Sequence, residues 1–117
     1  MNKQERKEIV DKAEHFVGVP KVLGPKYAGS RNVFNVKARR IATWLIVCRF
    51  ESVSEASRFL GHSERTVRHR VAGYPEPTAD NRDKYLDGRK KRLSPEDVNK
   101  LDAKLRGLRT RKKSGNK

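Results

Sequence analysis

Residues 52–74, SVSEASRFLGHSERTVRHRVAGY, restrict the fold more than any other stretch of the chain. A helical pattern runs up to Leu60, Gly61 supplies the permissive backbone at which it stops, and Ser63 opens a second pattern. Two short helices must therefore meet at a tight corner. Ser54 is placed to cap the first, whose buried side is Ala56, Phe59 and Leu60. In the second, Val67 and Val71 lie one helical turn apart and form a core-facing seam. At about 100° per residue, Arg65 and His69 point away from that seam, Thr66 lies to one side, and Arg68 and Arg70 flank it at the helix edges. The pattern is that of a helix-turn-helix, whose second helix offers polar side chains to a DNA groove from a packed support. An αα-hairpin with a glycine corner reads the same way. The three arginines and one glutamate of the second helix favour the groove reader, since a merely solvated helix tends to mix its signs.

The charge of the whole chain points the same way. Against 14 acidic residues stand 29 lysines and arginines, a formal charge of +15 with a pI near 10.5, so a polyanionic partner is expected, either nucleic acid or an anionic membrane. No apolar run approaches the ~20 residues of a membrane span, and the start, MNKQERKEIV, has no apolar signal core. The expected location is the cytoplasm, in association with the nucleoid. At 117 residues the chain has room for one modest core. Its single cysteine, Cys48, excludes an intrachain disulfide, and three histidines leave too few soft ligands for a structural zinc. Cys48 lies in the most hydrophobic segment and is expected to be buried. No cofactor, no metal and no enzymatic activity are expected, because the chain lacks acids spaced for two-metal chemistry and a histidine beside a nucleophile.

The remaining segments read as helices, which makes the expected fold class all-α. Residues 3–17 place Ile9, Ala13, Phe16 and Val17 at helical spacing, with Gly18 as the stop. A short turn follows at 19–24, then an exposed basic loop at 25–32 carrying Lys26 and Arg31. The longest periodic segment, about 33–50, builds an apolar face from Ala38, Ile41, Ala42, Leu45, Ile46 and Cys48. Its start carries Lys37, Arg39 and Arg40, which oppose the helix dipole and suggest a phosphate held there by these cations and the free amides. Trp44 and Phe50 read as packing residues.

Tyr74-Pro75-Glu76-Pro77 closes the first unit, so the expected organisation is a DNA-binding domain at 1–74, a linker with a possible short helix at 75–93, an amphipathic helix at 94–109 and a disordered basic tail at 110–117. Ser94, Pro95, Glu96 and Asp97 form a strong helix start, and Val98, Leu101, Leu105 and Leu108 follow as one apolar stripe. That stripe must cover something: it docks on the N-terminal unit, pairs with a second copy in a homodimer, or stays a marginal helix until DNA or a protein partner arrives.

From about Glu5 to Tyr74 the order of parts resembles the C-terminal DNA-binding domain, domain IV, of the bacterial replication initiator DnaA, a Trp-repressor-like helical fold. The resemblance rests on the Val36-Lys37-Ala38-Arg39-Arg40-Ile41-Ala42 segment that opens the apolar helix, on Ser54-Glu55-Ala56-x-x-x-Leu60-Gly61, and on Thr66-Val67-x-His69. It implies that Lys37, Arg39 and Arg40 meet the minor groove and backbone while the recognition helix reads the major groove. Where the family has Arg-Asp-His-Thr-Thr-Val, this chain has His62-Ser63-Glu64-Arg65-Thr66-Val67, so only Thr66, Val67 and His69 carry over. No Gly-rich phosphate loop is present, which makes the chain similar to a free-standing relative without the ATPase module.

The expected function is sequence-specific binding of double-stranded DNA, in transcription or replication control, by the helix at 64–73. Glu64, Arg65, Thr66 and His69 are the candidate base readers, with Arg65 suited to guanine and Glu64 to a cytosine amine or to its own helix dipole. Lys26, Arg31, Lys37, Arg39, Arg40, Ser63, Arg68 and Arg70 are the candidate backbone or minor-groove contacts. Two other classes stay open: a non-specific protein that coats or compacts nucleic acid, and a protein–protein adaptor.

Overall fold

The computed structural model describes residues 3–24, 31–50, 52–85 and 92–114, with the side chains of Tyr85 and residues 108–114 excepted. The chain is all-α: among the described residues it forms six helices and no strand. They are α1 (Lys3–Phe16), α2 (Val33–Val47), α3 (Val53–Leu60), α4 (Glu64–Val71), α5 (Ala79–Tyr85) and α6 (Pro95–Ser114). No described helix is long and apolar enough to cross a membrane.

α2 is the axis of the molecule because it is apolar on more than one face. Ala38, Ile41, Ala42, Trp44, Leu45 and Ile46 are buried in the main core with Val17, Val19 and Val22 from the segment after α1 and with Val98, Leu101 and Leu105 from α6. Val47 turns the other way, into a smaller cluster with Ala56 of α3 and Val67 of α4. One helix thus supports α1, α4 and α6 at once.

The corner between α3 and α4 forms as its residues dictate, with one shift of position. The cap of α3 is Ser52, which accepts from the Glu55 amide at 3.2 Å, whereas Ser54 lies inside the helix. Ser52 has the extended backbone of an N-cap and leaves its side chain facing the first turn. Gly61 closes α3 at φ 73°, a left-handed conformation that costs a Cβ-bearing residue about 1 kcal/mol or more, and its amide donates to the Ser57 carbonyl. Ser63 caps α4 and accepts from the Thr66 amide at 3.1 Å.

The segment after α4 is locked to α2. The fully buried Trp44 indole donates to the Pro75 carbonyl at 2.9 Å and meets the Tyr74 ring edge-on. The Tyr74 hydroxyl donates to Asp102 Oδ1 at 2.5 Å, and Arg106 pairs with the same carboxylate at 3.3 Å. α6 is therefore part of the core. Of the three uses open to its apolar stripe, Val98, Leu101 and Leu105 serve the first, packing inside their own chain. This corrects their assignment as a surface for a second copy or partner: α2 already covers them. The Leu108 side chain lies outside the described residues. α6 also runs on to Ser114, past the end expected at 109, and residues 115–117 lie outside the described set. The expected short helix in the linker is α5, opened by Thr78 Oγ1 accepting from the Asn81 amide.

Candidate nucleic-acid interface

The outer face of α4 is set by its inner one. Val67 is fully buried and Val71 half-buried, so rotation along the helix leaves Arg65, Thr66 and His69 exposed. The Thr66 hydroxyl accepts from Ser63 Oγ at 2.9 Å, which holds it in place and leaves its own proton for an outward acceptor. Ser63 itself is committed to the cap and to Thr66.

Glu64 and Arg68, one turn apart on α4, pair with each other at 2.8 Å. The hydrogen bond from Arg68, then one from Ser54, hold the Glu64 carboxyl below its ordinary value. Glu64 is thus engaged on its own helix and on α3. Of its two expected roles, helix support and cytosine reading, it has the residues for the first around it.

Arg70 departs from expectation. Rotation sets Arg68 and Arg70 symmetrically about the valine seam, yet Arg68 is exposed while Arg70 is 9% exposed. The difference is tertiary: Arg70 shares a cleft with Arg39 and Arg40 of α2, whereas Arg68 stays exposed. Arg70 is therefore no edge residue. Its Nη1 is buried without a hydrogen-bond partner.

Where α4 meets the N-terminal half of α2, a cleft of about 480 Å³ opens, lined by Val36, Arg39, Arg40, Arg65, Thr66, His69 and Arg70. None of these described residues is acidic. Arg39 is pushed below the ordinary guanidinium value by burial and then by Arg40, and Arg70 by burial and then by Arg39. Both stay protonated, because a guanidinium does not give up its proton in a protein. Two helices thus concentrate like charge over one concave surface.

The other expected contacts fall as follows. Arg31 is exposed just before α2. Lys37 donates to Asn99 Oδ1 of α6 at 3.2 Å, so it is tethered to that helix. The amides of Phe34 and Asn35, expected to receive a phosphate, instead donate to the Asn32 side chain, which caps α2. Lys26 lies outside the described residues. No group of three or more metal-ligating side chains occurs among the described residues.

Three features escaped the sequence pattern. The buried arginine, the Tyr74–Asp102 bond and the Lys37–Asn99 bond all join residues far apart in the chain, and no local spacing announces them. A fourth, the buried Glu14, accepts from the Leu23 amide at 2.9 Å and so fastens the turn after α1. Compared with protein-family models, curated proteins and solved structures, the chain matches none.

Proposed function

We propose that the chain is a sequence-specific double-stranded DNA-binding protein, acting in transcription or replication control, with α4 as the groove-reading helix. The observation that carries this reading is the α2–α4 cleft, where cations from two helices converge, with no carboxylate among the described lining residues, beside the exposed Arg65, Thr66 and His69. A major groove about 12 Å wide admits a helix. Arg65 then faces a guanine edge with two donors, and Thr66 and His69 face its neighbours. Arg31, Lys37, Arg39 and Arg40 lie along the start of α2, where a strand flanking the groove would pass. They supply phosphate contacts that position the helix without reading sequence. The resemblance to the initiator's DNA-binding domain supports the same docking.

The test compares two alanine variants of the full chain on a preferred duplex. Arg65→Ala is expected to cost about 1–3 kcal/mol and to relax one base position. Lys12→Ala, on the exposed side of α1 near Leu45 and Arg49, is expected to weaken binding slightly and equally on all sequences. Equal losses from the two would mean that charge alone holds the DNA, as in a coating protein.

A further inference from the structure

An arginine buried to the extent of Arg70, with Nη1 sealed from solvent and unpartnered, carries the desolvation of a charged donor with nothing in return. Buried polar atoms in folded proteins are nearly always satisfied, and Arg70 also lines the α2–α4 cleft, so its unpartnered guanidinium nitrogen lies on a residue that an acceptor in the cleft would meet. The cavity identifies the acceptor's chemistry. Its other cations are Arg39 and Arg40 from α2 and Arg65 from α4, Thr66 adds a hydroxyl, and no lining carboxylate competes. A neutral ligand would leave these like charges facing one another. An oxyanion relieves their repulsion and gives Nη1 an acceptor, and a planar guanidinium fork suits a phosphate best.

We propose that the α2–α4 cleft is a phosphate site with Arg70 as its buried anchor and Arg39 and Arg40 around its mouth, leaving Arg65 to the base edge. Arg65 and His69 are exposed, so their side chains can rotate to admit the group. This deepens the DNA-binding reading and rests on it for the source of the phosphate, a backbone group of the strand beside α4. A free phosphate would be bound by the same chemistry. On this account α4 is seated by a phosphate held on the side of the helix facing α2, and Arg70 adds affinity without reading sequence.

The experiment uses the full chain, with Arg70→Met to remove the charge at similar length and Arg70→Lys to keep the charge without the fork. Binding to a preferred duplex and to a scrambled one is measured across a salt series. Inorganic phosphate is titrated separately, following the melting temperature and the arginine Nε–H signals by NMR. The site predicts that Arg70→Met weakens both duplexes by the same factor and lowers the slope of log K against log salt by about one unit. It also predicts that phosphate shifts the Arg70 signal and raises the melting temperature of the parent chain. The Met variant should lose this rise and the Lys variant should keep part of it. The signal shift is read on the unsubstituted protein, so it stands even if a variant folds poorly. An unchanged slope in Arg70→Met together with an Arg70 signal that ignores phosphate would overturn the site, and water would then be the occupant of the cleft. A phosphate-dependent Arg70 shift in a chain that binds no duplex would keep the site and remove the DNA reading. Duplex binding with no Arg70 dependence, and an Arg70 signal that ignores phosphate, would do the reverse.

Discussion

Burial decides the chemistry of Cys48. Enclosed at the end of α2, its thiol is pushed up to about 12, chiefly by loss of solvent. At mildly alkaline pH it is expected to react with a disulfide reagent only as fast as the chain unfolds, and rapid labelling of the folded protein would show that it is accessible. His62 offers a pH test. Burial, then the nearby Arg70, lower its pKa from the ordinary 6.5, against a hydrogen bond to the Leu23 backbone. The folded chain therefore binds this proton less readily than the unfolded one. The stability linked to neutral His62 is complete above 6.5 and declines as pH falls below it. Glu14 has the opposite sign, because burial raises its pKa above 4.5 and its contribution is lost as pH rises through the folded value. The diagnostic is thus a difference: His62→Gln should flatten the fall of melting temperature below pH ~6.5, and an unchanged fall would exonerate His62. Cys48 was legible as a core residue because its neighbours are apolar. The burial of Arg70 was not, since rotation along α4 cannot tell which edge α2 will cover.

At the scale of elements, local chemistry fixes the corner and distant contacts fix what leans on it. Gly61 shows the first. A Cβ there would meet no atom within 4 Å, so the glycine is required by its φ of 73° alone. Gly61→Ala should destabilise by about 1 kcal/mol without altering the fold, read as a lower denaturant midpoint at constant slope. The Tyr74–Asp102 bond shows the second. Tyr74→Phe strips a donor from a carboxylate that is 3% exposed, and the expected cost is about 1–3 kcal/mol. A cost near zero would mean that Arg106 alone satisfies Asp102. The extents of α1 to α4 could be read closely from glycines, caps and apolar spacing, because those signals act within a turn or two. The partner of the α6 stripe could not, since an amphipathic face reveals only that something covers it.

At the scale of the molecule, the C-terminal helix is structural. Val98, Leu101 and Leu105 complete the core around α2, and Asp102 anchors the segment that follows α4. A chain ended before Pro95 would expose the α2 face that carries Arg39 and Arg40 on its flank, and loss of cooperative unfolding is expected. Retention of the full transition by that fragment would show that the N-terminal helices suffice. The basic excess is spread over the molecule, as Lys12, Arg49 and Arg82 at the far end of α2 illustrate. Charge alone therefore predicts attraction to nucleic acid but no orientation; among the described residues, the α2–α4 cleft beside an exposed polar helix face gives one. The most direct test of that central claim is selection of binding sites from randomised duplex DNA by the full chain at near-physiological salt. The account predicts one enriched motif in which a guanine preference disappears with Arg65→Ala. Absence of any motif, with affinity collapsing steeply as salt rises, would contradict it and make the protein a coating agent held by phosphates alone.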